Sequence, residues 1–130
     1  MGLPPLPSLV TVLALGMYQT TTILVGRARL QHRVKPPATT GPEGFERALR
    51  VQQNTLEQLV FFLPAFWLAV DFGPVGPACI LGFVWVGARI GYAVGYLQAA
   101  EKRGPGFGLA LISSVALLVM AFVGLVQQLG

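Results

Sequence analysis

Two stretches of this chain place charged and hydroxylated side chains at helical spacing, FERALRVQQNTLEQL at residues 45–59 and ARIGYAVGYLQAAEKR at residues 88–103. At about 100° per residue, Arg47, Arg50, Asn54 and Glu57 fall at roughly 0°, 300°, 340° and 280°, a single polar stripe about 80° wide. Arg89, Tyr92 and Tyr96 fall at about 0°, 300° and 340°, and Arg103 returns to about 320° if one helix runs that far. Arginine forks suit carboxylates, and a carboxylate suits an ammonium group. One reading is therefore a pocket for a ligand with several carboxylates and amines. The other is an ion pair between Glu57 and Arg89 that clamps two helices, with the tyrosines as interfacial anchors. The residues alone leave both open.

The elements that carry these groups are apolar. Hydrophobic residues make up 54% of the chain and charged residues only 11%, against about a quarter charged in a soluble domain. Four blocks, roughly 8–26, 51–71, 74–98 and 106–127, approach or exceed the roughly 20 residues needed to cross a bilayer. None shows the alternation of a barrel strand, so each is read as a helix. The first block lacks a preceding basic residue and leads into an arginine cluster, which reads as a retained helix and not a signal peptide. With interfacial turns added, the helices are expected at 46–71 and 74–102 for the second and third. The expectation is an all-α, four-helix membrane bundle forming one domain over residues 1–130.

Charge sets the orientation. Arg27, Arg29, Arg33, Lys35, Arg47 and Arg50 flank the first connection, and Lys102 and Arg103 lie in the third. The second connection, DFGPVGP, carries one acid and no base. The positive-inside rule then puts connections one and three in the cytoplasm and both termini on the opposite side, in the inner membrane if the source is bacterial. The net charge of +4 reads as topology and attraction to a small anion. No basic stripe with interleaved aromatics suggests nucleic acid. Cys79 stands alone in an apolar block and reads as packing, and His32 reads as a solvated loop residue. No pattern for a metal, a Ser-His pair or an acid dyad is present. Gly87, Gly91 and Gly95 form a small-residue ridge expected to pack closely on another helix, and GPGFG at 104–108 is expected to be a tight turn.

From Arg29 to Glu57 the text RLQHRVKPPATTGPEGFERALRVQQNTLE resembles the MAPEG family, membrane-associated proteins of eicosanoid and glutathione metabolism, and most closely its leukotriene C4 synthase branch. The pattern R-V-x-P-P-x-T-T-G-P followed by F-E-R-x-x-R-x-x-x-N-x-x-E carries the resemblance. It resumes in GARIGYAVGYLQAAEKR, while the outer helices match only in hydropathy.

The resemblance implies a homotrimer with glutathione as cosubstrate, bent into a site at each subunit interface near the cytoplasmic side. By position it implies that Arg50, Asn54, Glu57, Tyr92 and Tyr96 hold the tripeptide, that Arg29 reaches it from the adjacent subunit, and that Gln52 takes part although it points to about 140°, off the stripe. Pro37 is a packing contact at most. Arg103 matches the arginine that stabilises the thiolate, the nucleophilic form. The activity implied is that of a glutathione transferase or peroxidase acting on a lipophilic, eicosanoid-like electrophile or hydroperoxide drawn from the membrane lipid. Two positions depart from the branch: Gln58 stands where it has Tyr, and Leu30 replaces the second base of its Arg-Arg pair. A non-catalytic lipid-binding scaffold of the same family is the alternative, and a small transporter with Glu57 and Arg89 as an ion relay is a remote one.

Overall fold

The computed structural model describes residues 2–130, arranged as four long helices and one short turn of 3-10 helix. Helix α1 spans Pro5–His32, α2 Glu43–Phe72, α3 Val75–Gln98 and α4 Gly104–Leu129, with Ala100–Arg103 forming the 3-10 turn before α4. All four are long and apolar enough to cross a membrane. Helices α2 and α3 each pack against every other long helix, and α1 and α4 flank them.

Local chemistry explains where the helices begin and end. Pro5 opens α1, where its missing N–H costs nothing. The helix runs six residues past the apolar block, to His32, because Arg27 and Arg29 can extend their heads toward water while the backbone stays helical. It stops at Arg33, which adopts the left-handed conformation (φ 57°) and donates its N–H to the Arg29 carbonyl. Helix α2 starts at Glu43, with Glu43 and Glu46 in its first turn facing the positive end of the helix dipole. The Gly41 N–H donates to Glu46 Oε2 at 2.9 Å and so ties the loop to the helix start.

The third connection differs from expectation. Helix α3 ends at Gln98, four residues short of 102, and Ala99 is extended. The chain then folds back in the 3-10 turn, tight enough that a Cβ on Gly95 would strike the Lys102 carbonyl. GPGFG is not a separate turn; Gly104–Gly108 already belongs to α4. Gly106 lies so close to the Tyr92 backbone that any side chain there would collide with it, which lets α4 start flush against α3. The glycine ridge is used only in part: Gly95 meets Lys102, whereas a Cβ on Gly87 or Gly91 would meet nothing within 4 Å.

An aromatic core holds the bundle. Phe62 and Trp85 stack with ring centroids 3.9 Å apart, and Phe66 stacks on Phe62 at 5.5 Å. All three are fully buried among Val10, Ala14, Leu117 and Ala121. Trp67 Nε1 donates to Thr11 Oγ1 at 3.0 Å and links α2 to α1. The outside is apolar as well, with Val60, Ile112 and Phe122 at least 64% exposed, as lipid-facing side chains are.

Candidate functional site

At the basic end of the bundle, α2, α3 and the start of α4 enclose a polar cavity of about 230 Å³ lined by Arg50, Asn54, Tyr92, Tyr96, Arg103 and Phe107. The stripe on α2 supplies Arg50 and Asn54, one helical turn apart on the same face. Tyr92 and Tyr96, also i and i+4, come from α3, their rings 5.7 Å apart. Arg103 arrives by a route that helical spacing did not anticipate. It lies on the 3-10 turn, not on an extended α3, yet the fold-back sets its guanidinium carbon 5.6 Å from the centre of the Tyr96 ring. Its Nη1 donates to the Ala100 carbonyl at 3.0 Å, which leaves the exposed head free to face the cavity.

Arg89 stands behind this wall and does not line it. The side chain is completely buried, its Nη2 donates to Thr55 Oγ1 at 2.9 Å, and its guanidinium lies over the Tyr92 ring at 4.0 Å. The ion-pair clamp is therefore not formed: Arg89 turns to Thr55, and Glu57 is exposed on the outer surface of α2. Among the described residues the one salt bridge joins Arg47 to Glu43, Nη1 to Oε1 at 2.6 Å. The polar cluster leaves groups unpartnered within the chain, namely Asn54 Oδ1 and Arg89 Nε and Nη1. Buried polar groups without partners are costly, and a ligand, water or second chain at this place would relieve that cost.

Three candidate residues are not gathered into this cavity. Glu57 is nearly one turn beyond Asn54 and faces outward. Gln52 turns toward α1, where its Nε2 donates to Thr22 Oγ1 at 3.1 Å, in keeping with its position off the stripe. Arg29 lies over the Phe45 ring at 4.9 Å and donates to the Ala38 carbonyl at 2.8 Å. It borders a different and larger cavity, about 550 Å³, with Gly26, Leu30, Arg33 and Pro36. That space is lined mostly by apolar surface although Arg29, Arg33 and Lys35 border it, and Leu30 is 84% exposed beside it. Pro37 is exposed in the loop and Gln58 is half-buried on α2.

Two contributors escaped the sequence reading. Thr55 falls about 80° from Arg47 on the wheel, outside the stripe, and only its burial against Arg89 marks it. Phe107 lay in the segment expected to be a turn; as part of α4 it closes the cavity, 6.2 Å from the Tyr92 ring.

A convergence of two arginines, an amide and two tyrosines at the end of a membrane bundle is specific enough to compare with known proteins. A mouse microsomal glutathione S-transferase 2 is 47% identical over 80% of this chain and 71% of its own length. A guinea pig leukotriene C4 synthase is 36% identical over 92% of the chain and 79% of its own length. An uncharacterized protein of Synechocystis is 54% identical over 95% of the chain and 90% of its own length. The model of the MAPEG family matches residues 7–123, which takes in both polar stretches, all of α2 and α3 and most of α1 and α4. The chain is a multi-pass membrane protein, and it belongs to the MAPEG family.

Proposed function

We propose that this protein is a glutathione-dependent transferase or peroxidase that acts, as a homotrimer, on lipophilic electrophiles entering from the bilayer. The observation that carries the reading is the convergence of Arg50, Asn54, Tyr92, Tyr96 and Arg103 from three elements on one cavity at the basic end. Relatives named for glutathione transfer and leukotriene C4 synthesis support it.

Glutathione carries two carboxylates, one ammonium and one thiol. Arg50, with Arg29 from an adjacent subunit, binds the carboxylates through charge-assisted hydrogen bonds. Glu57 binds the ammonium, which accounts for a carboxylate held on the outer surface of α2 with no ion pair among the described residues. Asn54 and the two tyrosine hydroxyls supply neutral hydrogen bonds, and Gln52 contributes from the neighbouring α2. A trimer is part of the proposal because these groups occupy separate surfaces of one subunit. Connections one and three, with the cavity between them, face the cytoplasm, where the basic residues lie.

Arg103 stabilises the thiolate. The thiol proton passes to solvent, and the sulfur attacks an electrophilic carbon of the lipid. The new carbon–sulfur bond forms as the carbon–leaving-group bond breaks, and the departing group takes a proton from water. With a hydroperoxide, two glutathione molecules are oxidised to the disulfide, and the peroxide is reduced to an alcohol and water. A calorimetric titration of the detergent-purified protein with glutathione tests the reading. Saturable binding at one site per subunit is expected, together with a trimeric mass by native mass spectrometry; no binding by the folded protein contradicts it.

A further inference from the structure

The side of the bundle formed by α1 and α3 carries a second feature, which the glutathione reading does not use. At the basic end, a cavity of about 450 Å³ is bordered by Arg27 and His32 of α1, Arg47 of α2 and Leu97 of α3. Next to it an apolar groove of about 280 Å³ runs between α1 and α3, past Met17, Ile90 and Val94. Leu24 and Leu97 border both, so the two hollows adjoin, a basic head beside an apolar tail.

The head is built to receive negative charge. No acidic side chain lines it. Arg27 is exposed and has no ion pair among the described residues. Arg47 holds Glu43 through Nη1, while its Nε is buried without a partner. Gly44 makes room for His32, since a Cβ there would stand 2.9 Å from His32 Nε2. The tail continues about 10 Å along α1 from Leu24 to Met17, within the membrane-spanning part of the helix. Ile90 and Val94 on its rim are about half exposed, as side chains in contact with hydrocarbon are.

We propose that these adjoining hollows bind an anionic phospholipid of the surrounding bilayer, with its phosphate between Arg27 and Arg47 and one acyl chain along the groove between α1 and α3. The occupant is a lipid and not a free anion because the basic cavity adjoins, at Leu24 and Leu97, a mostly apolar groove suited to hydrocarbon. Basic pockets at the polar ends of membrane helices bind acidic headgroups on the same principle. The site is distinct from the cavity at Arg50 and Arg103 and does not depend on thiol chemistry.

Lipid binding to the full-length protein in mild detergent, measured by native mass spectrometry, tests the proposal. Phosphatidylglycerol and phosphatidylcholine with identical acyl chains are titrated, with and without excess inorganic phosphate. Each basic residue near an anionic headgroup contributes enough that the two arginines together give phosphatidylglycerol a preference of roughly tenfold or more. That preference falls toward parity in Arg27→Gln/Arg47→Gln and survives in Arg27→Lys/Arg47→Lys, while Ala93→Trp, which fills the apolar half, weakens both lipids alike. If the double glutamine variant does not fold, Arg27→Gln alone, at an exposed position, still halves the preference or more. Equal binding of the two lipids by the wild type overturns the proposal, as does a preference unchanged in the glutamine variants. Displacement of phosphatidylglycerol by inorganic phosphate makes the site one for a free anion, and also overturns it.

Discussion

The two halves of this bundle obey different rules. In the half around Phe62, Phe66 and Trp85, side chains find nearly all their partners inside one chain, in stacked rings and fully buried apolar contacts, although the buried Trp85 Nε1 has no hydrogen-bond partner. In the half around Arg50, Asn54 and Arg103, they do not: Asn54 Oδ1 and two Arg89 nitrogens have no partner, and Arg50 and Glu57 face outward. Self-sufficient packing is what a structural region needs. Groups left incomplete at a cost are what a binding region retains, because the ligand or neighbouring subunit completes them.

This contrast can be broken by substitutions chosen in each half. The largest effect is expected from Phe62→Ala, which empties a fully buried ring site and should cost about 3–5 kcal/mol of stability. Unfolding monitored in detergent should show that loss, while the folded fraction binds glutathione as before. Arg103→Leu should reduce turnover about 100-fold, the usual scale for losing a group that stabilises developing charge. Steady-state kinetics should place the change in kcat, with glutathione affinity altered only a few-fold. Glu57→Gln should weaken glutathione binding by about 1.5–3 kcal/mol, the worth of a hydrogen bond to a charged group, and leave thermal stability unchanged. A variant that instead loses stability and keeps its affinity would move Glu57 to the structural half. Gln52→Ala is the smallest test: loss of the bond to Thr22 should cost about 0.5–1.5 kcal/mol of stability.

Much of the fold was legible because hydropathy is written locally. Each long apolar block became a helix, and the polar stripes brought Arg50 with Asn54 and Tyr92 with Tyr96 to the cavity, whereas Arg47, Glu57 and Arg89 of the same stripes do not line it. Helical spacing failed where the backbone departs from a helix. Arg103 was expected on an extension of α3, but the close approach of Gly95 to Lys102 ends the helix and turns the chain back. Phe107 was missed for the same reason, since glycine and proline in GPGFG read as a turn, whereas Pro105 suits the first turn of a helix and Gly106 suits close packing. The fate of Arg89 was hidden too. A wheel cannot show whether an arginine lines a cavity or lies behind its wall, and here a buried threonine on α2 decided it. Arg29, Gln52 and Glu57 mark the other limit: each faces away from the cavity of its own chain, and spacing within one chain says nothing about a neighbour.

The most direct test of the central claim, that the cavity at Arg103 activates a thiol, is the ultraviolet difference absorbance of glutathione thiolate when the purified protein is titrated at neutral pH. A free thiol with a pKa of about 8.5 is mostly protonated there, and a neighbouring cation favours the thiolate. The wild type should develop the thiolate band stoichiometrically with bound glutathione. Arg103→Leu should bind the tripeptide but require a pH near or above about 8.5 to show the same band. A band of unchanged intensity and pH dependence in the variant, with unchanged turnover, would contradict the assignment of Arg103 as the group that activates the thiol.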